Sequence, residues 1–130
     1  MAKIARFEEL EAWQLARQLT QQIYIITGAG NFAKDFGLRD QIRRASVSIM
    51  ANIAEGFERG GNKEFVQFLA VAKGSAGEVR SLLYVAFDAM FITQDQLEVF
   101  SAQTQQISRQ LGGFMKYLQT TPLRGSKYKS

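Results

Sequence analysis

The chain reads as all-α, and within that class as an up-down-up-down antiparallel four-helix bundle. Three observations predict this. Apolar residues recur at three- and four-residue steps through four long stretches, the spacing that gathers side chains on one helix face. Glycines at Gly28 and Gly30, and again at Gly60 and Gly61, separate the first three stretches, and the only proline, Pro122, lies beyond all four. Long helical patterns with short connections pack around one core as a bundle, and 130 residues suit a single domain that buries roughly two thirds of its unfolded surface.

Helix one is predicted over about 7–27, on Leu10, Trp13, Ala16, Leu19, Ile23 and Ile26. Glu8, Glu9 and Glu11 fall in its first turn, where carboxylates meet the positive end of the helix dipole. The connection to helix two holds Phe32 and Phe36, two aromatics expected to clamp it onto the bundle. Helix two, about 38–58, carries Ile42, Ala45, Ile49 and Ile53 on one face. Helix three, about 62–91, starts from Asn62 as N-cap and places Phe65, Leu69, Ala72, Ala76, Val79, Leu83, Ala86 and Met90 inward. Gly74 and Gly77 sit in its middle, at a cost of about 1 kcal/mol each against alanine, which implies close approach by helix two at Ala45, Ser48 and Asn52. Thr93 and Gln96 form a capping-box pattern opening helix four, about 93–118, on Leu97, Phe100, Thr104, Ile107, Leu111, Phe114 and Leu118. The bundle thus spans 1–118, and residues 119–130 read as a short, basic, disordered tail.

Composition narrows the chemistry. Neither cysteine nor histidine occurs, which removes disulfides, thiolate chemistry, an imidazole base and the usual transition-metal ligands. No nucleophile arrangement forms around Ser75 or Ser48, so no enzyme, cofactor, metal or small-molecule substrate is expected. The net charge of +4 is concentrated in the tail, at Arg124, Lys127 and Lys129, which leaves residues 1–118 near neutral. No apolar run approaches the roughly 20 residues of a membrane span, and Lys3 and Arg6 lead into acids rather than a signal sequence; a cytoplasmic protein without membrane contact is expected.

Three groups of residues are candidates for more than packing. Gln41, Arg44, Ser48, Asn52 and Glu55 form a polar stripe beside the apolar face of helix two, expected to join Ser75 and Glu78 of helix three in a satisfied network that fixes their pairing. Arg39, Arg43, Arg59 and Lys63 are expected to form a basic surface near the turn between these helices, with Arg124, Lys127 and Lys129 as further nucleic-acid contacts and Tyr117 and Tyr128 as stacking residues. Leu15, Tyr24, Ile25, Phe68, Val71 and Tyr84 lie off the core stripes and are expected to meet another subunit.

Several short runs also resemble a bacterial family. They are Phe36-Gly37-Leu38, Gln41-Ile42-Arg43-Arg44-Ala45, Ser48-Ile49, Ala51-Asn52-Ile53-Ala54-Glu55-Gly56, Glu64-Phe65, Phe68-Leu69 and Gly74-Ser75 with Glu78. In this helical context they resemble the four-helix-bundle proteins of the 23S ribosomal RNA intervening sequences. One departure is Ala33 after Phe32, where the family usually has proline. The resemblance implies a homopentameric bundle of undefined biochemical role. A similar protein, the accessory variability protein of diversity-generating retroelements, is a pentameric bundle that binds nucleic acid and a reverse transcriptase. The expected function is therefore a non-enzymatic homo-oligomeric scaffold whose partners are itself and RNA or a nucleic-acid enzyme. The alternative is a protein-interaction adaptor without nucleic-acid affinity.

Overall fold

A computed structural model of the chain describes residues 4–120. Four α-helices carry it: α1 (Glu11–Thr27), α2 (Phe36–Glu58), α3 (Asn62–Asp88) and α4 (Gln94–Thr120). Short 3-10 turns at Phe7–Glu9 and Phe32–Lys34 precede α1 and α2, and no strand occurs among the described residues. Each helix packs on its neighbours in sequence, and α1 also packs on α4, so the fold is all-α with bundle-like packing. No helix among the described residues is long and apolar enough to cross a membrane.

The predicted apolar faces form the core. Ile23 of α1, Ile42, Ile49 and Ile53 of α2, Phe65, Leu69, Val79 and Leu83 of α3, and Ile107 and Leu111 of α4 are essentially sealed from water. Each such side chain contributes roughly 1.5–3 kcal/mol by leaving water. Phe65 meets Phe57 and Phe114 edge-on, at 6.1 and 5.2 Å between ring centroids. The capping box at the start of α4 is present: Thr93 N donates to Gln96 Oε1 at 2.9 Å, and Gln96 N donates to Thr93 Oγ1 at 3.1 Å.

Helix boundaries differ from the sequence expectation where the backbone has local reasons to depart. Leu10 is extended (φ −75°, ψ 125°) and buried, which detaches the Phe7–Glu9 turn from α1 while Phe7 packs edge-on against Trp13 at 5.2 Å. Helix α2 starts two residues early because the Asp35 carboxylate accepts from Leu38 N at 3.0 Å, a cap that the spacing of apolar residues does not reveal. Asn62 does not cap α3; that place is Gly61, and the Asn62 amide instead donates to Leu118 O at 3.2 Å.

Helix α3 ends at Asp88 rather than near Phe91, in a Schellman motif. Phe91 N donates to Ala86 O and Met90 N to Phe87 O, both at 2.9 Å. Met90 occupies the left-handed position (φ 65°), so it leaves the inward stripe predicted for it and is 88% exposed. Phe91 turns back instead and stacks on the buried Phe32 at 5.2 Å. Phe36, expected to clamp the loop beside Phe32, stands in solvent under the guanidinium of Arg39 at 4.8 Å.

The close approach between α2 and α3 also lies elsewhere than expected. A Cβ added at Gly74 or Gly77 would meet nothing within 4 Å, so these glycines face open space. A Cβ on Gly56 would fall 2.6 Å from Phe68 Cβ and 2.8 Å from Phe65 Cδ1, so of the α2 and α3 glycines it is this one that lies at a close approach of the two helices.

Candidate interaction surfaces

The polar stripe of α2 lies at the edge of its contact with α3, where the interior is taken by Ile42, Ala45, Ile49 and Ile53. It makes two separate links. Ser48 Oγ and Ser75 Oγ share a hydrogen bond at 2.8 Å, and Asn52 Nδ2 donates to Ser48 Oγ at 3.0 Å and to Ser48 O at 2.8 Å. About two helical turns away, Gln41 Nε2 donates to Glu78 Oε2 at 3.5 Å, a weak contact between exposed side chains. Glu55 is drawn off by Arg59 at 2.8 Å, and Arg44 is exposed. The expected seven-residue network is thus a three-residue link with open neighbours, because the stripe faces outward along the seam rather than into it.

The basic candidates do not gather at one place. Arg59 and Lys63 flank the turn between α2 and α3, whereas Arg43 sits roughly 24 Å away along α2, at 1.5 Å per residue. Arg39 pairs with Asp40 at 2.8 Å and donates to Ala33 O at 3.1 Å. Arg43 ties α2 to the end of α1: Nε donates to Thr27 Oγ1 at 2.8 Å, Nη2 to Tyr24 O at 3.4 Å, and the guanidinium lies 4.5 Å over the Tyr24 ring. Arg59 contacts Glu55 and Glu64, which hold its pKa above the ordinary value, and lies 5.1 Å over Phe68. Lys63 is exposed and makes no ion pair among the described residues. Arg124, Lys127, Lys129 and Tyr128 lie outside the described residues, and Tyr117 stacks on Phe114 at 6.3 Å.

Of the apolar candidates, Tyr24, Ile25, Val71 and Tyr84 are exposed, while Leu15 and Phe68 are half-buried. They occupy several faces. Tyr24 and Ile25 are on α1. On α3, Val71 shares a seven-residue row with Glu78 and Val85, beside a second row of Phe68, Ser75 and Leu82. Val85, half exposed, completes this surface and was not marked by its sequence, because it lies next to Tyr84 within a continuous apolar run. Tyr84 belongs to another face, about 100° round the helix.

That other face borders a cleft of about 560 Å³ between α3 and α4, lined by Gly77, Arg80, Ser81 and Tyr84 on one side and Ser108 and Arg109 on the other, among further polar residues. None of its lining residues is acidic. At its edge, Lys73 crosses toward α4, its Cε 3.6 Å from where a Cβ on Gly112 would sit. Arg80 and Arg109 are each the one arginine of their helix and do not cluster in sequence; the available signal was the lack of any acid from Val99 to the end of the chain.

The fold and these surfaces define a class: a small all-helical, bundle-like protein, with no group of carboxylates among the described residues placed to hold a metal ion. More particularly, the chain belongs to the family of the 23S rRNA-intervening sequence protein, whose pattern matches residues 8–113. The family resemblance carried by the α2 and α3 runs is thereby borne out, and the match extends well into α4. In fold the chain is similar to a crystal structure from Bacteroides thetaiotaomicron VPI-5482, a protein of unknown function from the S23 ribosomal protein family. The two share 24% identity over 81% of this chain and 95% of that one, with a TM-score of 0.74. No curated protein matches the chain. Neither the family nor the similar structure indicates an enzyme.

Proposed function

We propose that the chain is a non-enzymatic scaffold of the cytoplasm: an up-down-up-down antiparallel bundle that assembles as a homopentamer and binds RNA, or an enzyme acting on nucleic acid, through basic surfaces repeated by symmetry. The observation that carries the assembly is the flank of α3 beside its seam with α2, where exposed Val71 and Val85 and half-buried Phe68 and Leu82 lie around Glu78. A bundle needs one buried stripe per helix, and α3 already buries Phe65, Leu69, Ala72, Ala76, Val79, Leu83 and Ala86 on the adjoining face. A second apolar stripe is the signature of a partner surface. The RNA reading is supported by the family's association with ribosomal RNA. Symmetry strengthens it, since each phosphate contact is weak and several copies add.

The pairing of Arg39 with Asp40 and of Arg59 with Glu55 favours the second reading, an adaptor that contacts only protein. Light scattering on purified protein tests the assembly, with a monomer at micromolar concentration refuting it. Filter binding of structured RNA across a salt series separates the two readings: no affinity at low salt selects the adaptor. Repeating the titration on a chain ending at Thr120 assigns any binding to the bundle or to the segment with Arg124, Lys127 and Lys129.

A further inference from the structure

We infer that the cleft between α3 and α4 is the site at which the scaffold holds single-stranded RNA, with Arg80 and Arg109 on backbone phosphates and Tyr84 against a base. The inference rests on the nucleic-acid reading above and gives it a location that the basic residues of α2 do not supply. Three of those residues are committed, Arg39 to Asp40, Arg43 to Thr27 and Tyr24, and Arg59 to Glu55 and Glu64, which leaves Arg44 as a lone exposed cation on that helix. Arg80 and Arg109 make no ion pair among the described residues, although both line the same cleft. Two guanidiniums line one groove whose lining holds no carboxylate, and their forked donors match phosphate oxygens.

The rest of the cleft fits the same ligand. Ser81, Gln105 and Ser108 offer hydroxyl and amide groups beside the guanidiniums, which suit sugar hydroxyls and phosphate oxygens. Tyr84 is 52% exposed at the rim, an aromatic face of the kind on which unpaired bases stack. Gly77 leaves the α3 wall bare, since a Cβ there would meet nothing within 4 Å, so a backbone can lie close against the helix. The α3 wall of the groove, from Ala76 to Tyr84, runs roughly 12 Å at 1.5 Å per residue, and Lys73 stands about one turn before it, over Gly112. A duplex offers no unpaired base to Tyr84, whereas a single strand can use the guanidiniums, the hydroxyls and the exposed ring together.

Fluorescence anisotropy of a short labelled oligouridylate tests the inference on the full chain, using the Arg80→Gln/Arg109→Gln double variant and Gly77→Met. The first removes the phosphate contacts; the second fills the groove without changing charge, at a helix position where a longer side chain is favourable. Both variants are expected to bind at least tenfold more weakly. The salt slope of the double variant should also fall by about 1.4, two phosphates at roughly 0.7 each for a single strand. Thermal melting followed by circular dichroism checks that each remains folded, and Gly77→Met decides if the double variant does not. Either folded variant binding like the original chain overturns the cleft while leaving the RNA reading intact, and loss instead in Arg59→Gln/Lys63→Gln would move the site to the α2–α3 turn. If the unaltered chain does not bind the oligomer, the single-strand site falls; the RNA reading falls with it only when structured RNA also fails to bind at low salt. Equal binding of a duplex of the same length, or displacement by polyglutamate as efficient as by unlabelled oligouridylate, also overturns the assignment.

Discussion

Phe68 Cβ lies 2.6 Å from the point where a Cβ on Gly56 would stand, so a close approach of α2 and α3 depends on a missing side chain. Phe65 Cδ1 is nearly as close, at 2.8 Å, and is buried, so neither neighbour yields easily. Gly56→Ala is therefore expected to destabilise the fold by about 1–3 kcal/mol, the usual penalty of overpacking. Gly77→Ala, which meets nothing within 4 Å, is expected to stabilise it by roughly 0.5–1 kcal/mol. Urea unfolding of the two variants at fixed protein concentration reads both signs.

Met90 offers a stabilising substitution. Its φ of 65° costs an L-residue about 1–2 kcal/mol, and its side chain, 88% exposed, recovers almost nothing by packing. Met90→Gly removes that strain but adds freedom to the unfolded chain, so the expected net gain is ~0.5 kcal/mol. A small upward shift in the urea midpoint with an unchanged slope is the expected result.

Arg43 joins two helices by three different contacts. Its guanidinium donates to Thr27 Oγ1 and Tyr24 O at the C-terminal end of α1, where positive charge is favoured, and covers the Tyr24 ring. Arg43→Ala is expected to cost about 1–2 kcal/mol, and Arg43→Lys to restore only part of it, because an ammonium cannot reach both oxygens while stacking. Thr27 retains its own bond to Ile23 O at 2.6 Å, which keeps the loss from growing.

The core was legible because it is carried by period. Seven of eight inward positions on α3 are buried as spaced, and the exception, Met90, follows a left-handed turn that is usually announced by glycine. Caps were half legible. The reciprocal Thr93–Gln96 pair has a sequence signature, whereas Asp35 lies ahead of Phe36 and Gly37, a pair that reads as loop. The surfaces were least legible. Helical spacing says which residues share a face but not whether that face meets a neighbour, so Gly74 and Gly77 read as contact points and proved open. Ion pairing was more legible: Asp40 adjoins Arg39 and Glu55 stands four residues before Arg59, and both pairs form at those spacings.

Acid should weaken one of these pairs in a defined direction. The hydrogen bond from Arg39 holds the Asp40 carboxyl below its ordinary value of 3.8, with Arg39, Arg44 and Arg43 adding attraction. A carboxylate whose pKa is depressed by folding stabilises the fold above its unfolded pKa, and that contribution disappears as pH falls through the folded value. Asp40→Asn should therefore differ most from the unaltered chain at neutral pH and converge with it as pH falls through the depressed carboxyl pKa, below the ordinary 3.8, as urea midpoints taken across the acid range would show. A gap that stays constant into strong acid would mean that the charge on Asp40 contributes nothing.

The oligomer interface can be located by placing charge on one apolar surface at a time. Val71 and Val85 are 53% and 49% exposed and share the row of Glu78 on α3; Ile25, 66% exposed, lies on α1. None of the three contributes to the core, so glutamate at these positions should change the stability of a single bundle by no more than about 0.5 kcal/mol. If the α3 surface is where copies meet, Val71→Glu/Val85→Glu buries two carboxylates next to Glu78 in every interface. The assembly should then fall to monomer by light scattering while the helical signal is kept. Ile25→Glu should leave the assembly intact. The reverse pattern would move the interface to α1 and leave the α3 stripe free for a different partner, because a second apolar row on a helix that already fills its core position still requires something to cover it.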